Sequence, residues 1–226
     1  MKCRNFILLI TLFTITVGRN QDWANVNYHK EANLKLSETG KLPKNRVVWI
    51  GDSITENWKK SDPDYFNETN VNRGISGQTT SQMLLRFRSD AINLKPKIVI
   101  ILAGTNDIAE NTGPISLPEI FGNIRSMVEL AQANQIKVIL CSVLPAFKYS
   151  WKPTIEPAEK IVALNQMIQN YAAQNKITYI DFHSAMADAN NGLKKEYADD
   201  GVHPNKSGYE LMKPMAEKAI NLTLKP

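Results

Sequence analysis

Cysteine is scarce in this chain of 226 residues: there are two, Cys3 and Cys141. Cys3 falls in a segment that reads as a leader, so no disulfide framework can form in the remainder. Cys141 stands between Val138-Ile139-Leu140 and Val143-Leu144, the setting of a small core hydrophobe on a buried strand and not of a nucleophile. Histidine is almost as rare. His29, His183 and His203 are dispersed, and without a His-Glu-x-x-His or paired-cysteine spacing they offer no zinc site. No metal or cofactor is expected. The chain has no arginine-rich run and no nucleic-acid motif, and its 27 basic residues are scattered among 22 acidic ones. That pattern describes a solvated surface, so nucleic acid is not an expected partner. Repeats, low-complexity tracts and interdomain linkers are also missing.

Nor does any apolar run reach the roughly 20 residues needed to cross a bilayer. The longest, Phe6 to Val17, follows Lys2 and Arg4 and precedes the small Gly18, which is the layout of a secretory signal over residues 1–18. Cys3 precedes the apolar run instead of following it, which argues against a lipid-modified cysteine at the cleavage point. The expectation is a secreted or periplasmic protein without a stable membrane anchor. Of the formal charge of +5, two units belong to Lys2 and Arg4. Residues 19–226, in a chain 43% hydrophobic, suffice for one well-buried core and are too few for two ordinary domains.

Strand-like apolar runs occur at Val47 to Ile50, Lys97 to Leu102, Lys137 to Leu144 and Ile177 to Phe182, and a weaker one at Asn70 to Arg73. Helical spacing lies between them: Ile120, Ile124, Met127, Val128 and Ala131 form one apolar side, and Ile161, Leu164, Ile168 and Tyr171 another. Met127 and Tyr171 are therefore read as core. Continuous apolar strands alternating with helices predict an α/β fold with a parallel sheet covered on both faces. Ser207 and Glu210 have the spacing of a capping box, which predicts the start of a final helix there.

Chemistry is concentrated at the ends of these strands. Gly51-Asp52-Ser53 follows the first run directly, and Asp200-Gly201-Val202-His203 lies near the other end of the chain. A serine hydroxyl is a poor nucleophile until an imidazole takes its proton and a carboxylate fixes that imidazole's tautomer. Between the two lie Asn72-Arg73-Gly74-Ile75-Ser76-Gly77 and Ala103-Gly104-Thr105-Asn106-Asp107, where glycine amides and an asparagine side chain can supply donors for an oxyanion. Ser53, Gly74 and Asn106 each follow a strand, so pattern alone puts them on one edge of the sheet.

These four blocks, in this order from about Val47 to Gly208, resemble the SGNH or GDSL hydrolase family. The resemblance implies a three-layer flavodoxin-like sandwich around a five-stranded parallel sheet. It implies Ser53 as nucleophile, His203 as general base and then acid, and Asp200 as the residue that orients His203. The implied oxyanion hole comprises the Ser53 N–H, the Gly74 N–H and the Asn106 side chain. Ile54 stands where many members have leucine. The stretch Arg73 to Thr80 looks like the branch related to platelet-activating-factor acetylhydrolase subunits.

Other residues have plainer readings. Asp199 is solvated, Asp107 stabilises the turn after its strand, and His29 and His183 are structural or solvent-facing. Three Asn-x-Ser/Thr matches, at Asn67, Asn205 and Asn221, are read as chance. The segment Pro145 to Pro157 carries Phe147, Tyr149 and Trp151 without helical or strand period. It is either a wall of the substrate pocket or an ordinary surface connection. The expected partner is a small-molecule, glycan or lipid ester: first a short-acyl ester such as an acetylated carbohydrate, with a lysophospholipid as rival. A binding module on the same frame that has lost catalysis is the alternative from another class. The sequence identifies no substrate-binding residue and no oligomeric state.

Overall fold

Val47–Gly51 (β1) and Ile98–Leu102 (β3) are buried at every position, and a strand buried on both sides needs a layer of structure on each. The computed structural model, which describes residues 22–38 and 43–225, supplies both layers. The leader assigned to residues 1–18 lies outside the described residues. With Asn70–Gly74 (β2), Lys137–Cys141 (β4) and Thr178–Ile180 (β5), the two central strands form one sheet in the order β2-β1-β3-β4-β5. All four pairings are parallel. This is the expected α/β sandwich, in the strand order of flavodoxin-like folds.

Alternation along the strands divides the core. Val48, Ile50, Val99, Ile101, Val138 and Leu140 face one way and pack on three helices, Thr80–Asp90 (α3), Leu117–Ala133 (α5) and Ala158–Gln174 (α6). Met127 is fully buried in this layer, whereas Tyr171 is only partly buried, its ring set edge-on against Phe121. Val47, Trp49, Ile98, Ile100, Ile139 and Cys141 face the other way, onto Ser53–Ser61 (α2) and Lys206–Leu224 (α8). Each such aliphatic or aromatic side chain contributes about 1.5–3 kcal/mol when fully removed from water. Lys30–Glu38 (α1), Thr105–Ile108 (α4) and Phe182–Met186 (α7) complete the helices.

Three expectations are corrected. The strand expected to run to Leu144 stops at Cys141 because the Asn165 carboxamide takes over the Val143 backbone, accepting from its N–H at 2.7 Å and donating to its carbonyl at 3.0 Å. The last helix is capped not by a Ser207–Glu210 box but by Asn205, whose side chain accepts from the Gly208 N–H at 3.1 Å. Asp107 serves more than its own turn. It accepts from the Thr80 N–H and hydroxyl at 2.6–3.0 Å and so ties α4 to the first turn of α3, where a carboxylate is favoured by the exposed amides.

Candidate active site

The turn carrying Ser53 is tight because β1 gives way to α2 within one residue. A Cβ on Gly51 would lie 2.0 Å from Thr55 Oγ1 and 2.9 Å from the Leu102 carbonyl, so only glycine fits there. Asp52 caps α2 by accepting from the Ile54 N–H at 2.9 Å. Burial pushes its carboxyl up to about 7, against the opposing effects of that bond and of His203. Ser53 follows as the first residue of α2, where the backbone N–H has no partner in the preceding turn. Its side-chain oxygen stands 2.9 Å from His203 Nε2.

His203 sits on the loop that leads into α8. Asp200 folds this loop upon itself: one carboxylate oxygen accepts from the Val202 and His203 N–H groups at 2.9 and 2.8 Å, and the other lies 2.7 Å from His203 Nδ1. A carboxylate can only accept, so the proton of the neutral ring belongs on Nδ1 and Nε2 is left to accept from the serine hydroxyl. Partial burial raises the Asp200 carboxyl, but the bonds from His203 and Val202 outweigh it and hold the group below its ordinary value. The start of α8, just past this loop, is pinned to the residue after the serine by the Tyr209 hydroxyl, which donates to the Ile54 carbonyl at 2.8 Å. Tyr209 in turn stacks on Trp58 of α2, with ring centroids 5.3 Å apart.

Asn106 lies in α4, just past β3. Its Nδ2 donates to the Gln78 carbonyl at 3.1 Å, and its Oδ1 accepts from Asn111 Nδ2 at 2.8 Å. One amide hydrogen is left over. Gly74, expected to lend its N–H to an oxyanion, has that N–H engaged within the protein. That N–H donates to the Asn72 side chain at 2.9 Å, and a Cβ there would meet Glu56 N at 2.3 Å and the Asp52 carbonyl at 2.8 Å. Gly74 is a packing position whose donor is already used. Gly77, three residues on, is exposed, has φ +78°, and among the described residues nothing accepts from its N–H. In the sequence it belongs to the same block as the strand-end glycine, Gly74-Ile75-Ser76-Gly77.

The remaining histidines stand apart from Ser53. His29 lies behind the strand ends with Nε2 3.3 Å from the Gly74 carbonyl, and burial, aided by Arg73 and Arg86, pushes its pKa down to about 3. His183 is half-buried in α7, just past the end of β5, and among the described residues its Nε2 has no hydrogen-bond partner. Cys141 is buried, which pushes its thiol up. Asp199 is exposed. From the Pro145–Pro157 segment Trp151 reaches the site, its ring 6.3 Å from that of His203. The same loop leaves Phe147 on a cleft of about 580 Å³ that also reaches Asp200, Gly201 and Asp188.

Such a site, with a hydroxyl hydrogen-bonded to an imidazole, that imidazole bonded to a carboxylate, and amide donors nearby, suits acyl transfer. A solved GDSL-like lipase from Bacteroides thetaiotaomicron is 45% identical, covers 90% of this chain and 100% of its own, and superposes with a TM-score of 0.86. Among curated proteins, an uncharacterized lipoprotein YqeF of Bacillus subtilis is 28% identical over 66% of this chain, and an acetylxylan esterase of Xylanibacter ruminicola is 29% identical over 58%. The chain spans 60% and 30% of the lengths of those two proteins. The family model for GDSL-like lipases and acylhydrolases matches residues 49–211, from within β1 into α8. The chain belongs to the GDSL-like lipase/acylhydrolase family.

Proposed function

We propose that this protein is an exported serine esterase that removes short acyl groups, chiefly acetyl, from carbohydrate esters. The observation that carries the reading is the unbroken chain from Ser53 Oγ through His203 to Asp200, at 2.9 and 2.7 Å. His203 Nε2 takes the Ser53 proton as the hydroxyl oxygen attacks the ester carbonyl. The developing oxyanion is met by the Ser53 N–H, the Gly77 N–H in place of that of Gly74, and the free Asn106 amide hydrogen. The imidazolium, stabilised by Asp200, then protonates the departing alcohol. Water activated by the same imidazole releases the acid from the acyl-serine.

Support for acetyl on a carbohydrate is of two kinds. The acetylxylan esterase of Xylanibacter ruminicola carries that activity in its name. Beside the site, Phe147 and Trp151 are 53% and 40% exposed, and such ring faces suit the apolar face of a sugar. The basic n-region and short apolar run of residues 1–18 support export; among the described residues no helix is long and apolar enough to cross a membrane. Hydrolysis of acetylated xylo-oligosaccharides is the test, followed by acetate release. Acetate released with kcat/KM well above that for a simple aryl acetate is the expected result, and no release from any acetylated glycan contradicts the sugar assignment.

A further inference from the structure

Asn111 lies outside the four sequence blocks, is exposed, and yet spends its whole side chain on the site. One hydrogen of Nδ2 goes to Asn106 Oδ1 at 2.8 Å and the other to the Gly77 carbonyl at 3.4 Å. Its Oδ1 accepts from the Trp151 indole N–H at 3.1 Å. Its backbone N–H donates to the Asn106 carbonyl at 3.0 Å, after Glu110 has turned the chain with φ +55°. An exposed amide gains little from bonds that water would make equally well, so stability alone does not account for three side-chain partners on three separate segments.

We propose that Asn111 is the positioning residue of the oxyanion hole, setting the rotation of the Asn106 amide and its spacing from the Gly77 turn, and tying both to Trp151 beside His203. The proposal rests on the acyl-transfer reading above. The Asn106 side chain has a twofold ambiguity: flipped about its last torsion, it would present its oxygen to the substrate and repel an oxyanion. The donor on Asn111 works with the Gln78 carbonyl to remove that choice, because only Oδ1 of Asn106 can accept from Asn111 and only Nδ2 can donate to Gln78. Asn106 Nδ2 must then turn one hydrogen to the Gln78 carbonyl and the other to the ester carbonyl oxygen. On the other side of Asn111, Trp151 leans on Tyr149, with centroids 5.0 Å apart, and the Tyr149 hydroxyl is 2.8 Å from Thr105 Oγ1, next to Asn106. The aromatic loop and the oxyanion segment are thereby joined at two points.

Asn111→Asp is the sharpest test, since it keeps size and the acceptor for Trp151 but replaces the donor with an oxygen that repels Asn106 Oδ1. The expected result is a fall in kcat of about ten- to a hundredfold, part of what losing one oxyanion donor costs, with KM within about twofold. A trifluoromethyl ketone, which forms a tetrahedral adduct on the serine, should lose affinity in proportion to kcat/KM, while acetate inhibition stays unchanged. Asn111→Gln, able to donate again, should recover part of the loss. Trp151→Phe, which keeps a ring but no N–H, should lower kcat less than Asn111→Asp. Unchanged kcat in Asn111→Asp, or a fall with unchanged affinity for the ketone, overturns the proposal. Asn106→Ala and Ser53→Ala in the same assays separate the two readings: if both lose turnover while Asn111→Asp does not, only the role of Asn111 is wrong; if Asn106→Ala also keeps turnover, Asn106 is no oxyanion donor and the proposal falls with it; and if Ser53→Ala keeps turnover, the acyl-transfer reading itself falls.

Discussion

Arg86 donates to the Gly51 carbonyl at 2.9 Å from a fully buried guanidinium. The same group donates to the Arg73 carbonyl at 2.8 Å, to Asp90 at 3.0 Å and to the Gln78 side chain. One cation on α3 thus links the end of β1, which carries Ser53, to the end of β2 and to the turn that carries Gly77. It fixes the distance between the two halves of the site.

Arg86→Met is therefore expected to destabilise the fold by about 3–5 kcal/mol, the usual cost of leaving one partner of a buried ion pair uncompensated. Urea unfolding measures this directly. A loss under about 1 kcal/mol would show that Asp90 and the freed carbonyls find other partners.

Asn106→Ala is expected to lower kcat by roughly 10²- to 10³-fold with little change in KM, because the amide is asked to bind charge that develops only in the transition state. Steady-state kinetics on an acetyl ester decide it. A rise in KM with kcat intact would make Asn106 a substrate-binding residue instead.

His29 ties stability to acid. Burial, with Arg73 and Arg86 close by and Glu56 opposing them, holds its pKa at about 3 in the folded chain, against about 6.5 unfolded. Between these values the unfolded chain binds more protons, so this group's contribution is complete above about pH 6.5 and is lost as pH falls toward 3. Asp52 and Asp107, raised to about 7 and about 6 by burial, act in the opposite sense and favour the folded chain as pH falls toward 4. His29→Gln, which can still donate to the Gly74 carbonyl, is expected to flatten the acid limb of a plot of unfolding free energy against pH. An identical acid limb in the variant would contradict this origin.

Acyl preference follows from the want of a cover. Each buried methylene is worth up to about 0.8 kcal/mol, so a sheath for a fatty chain would make kcat/KM climb steeply from acetyl to octanoyl esters. Among the described residues no inserted domain interrupts the alternation of strands and helices, so a flat or falling series is expected. A rise of about two orders of magnitude would favour the lysophospholipase reading.

The architecture was legible because its signals are collective. Four apolar runs and two helical stripes in one chain leave few arrangements, and Val47–Gly51 and Ile98–Leu102 came out as parallel strands buried on both faces. Ser53, Asp200, His203 and Asn106 were visible because unlike residue types stood at strand ends in a fixed order, and the fold gathers them at one edge. What escaped depends on single contacts between distant segments. No periodicity reveals that Asn72 occupies the Gly74 N–H, that Asn165 ends β4, that Asp107 serves α3, or that Asn111 bridges Asn106 and Trp151. The cap of α8 is not legible for a related reason: Asn205 and Ser207 are both good caps, and the choice between them is made by where the loop from His203 arrives.

The most direct test of the account is covalent capture of Ser53. A fluorophosphonate ester should label the protein once per chain, with the adduct located by peptide mass mapping on Ser53, and Ser53→Ala and His203→Ala should each lower turnover by at least about 10⁴-fold without multiplying in the double variant, because the two act as a unit. Labelling at another residue, or near-normal turnover in Ser53→Ala, would contradict the central claim that the Ser53–His203–Asp200 chain performs the chemistry.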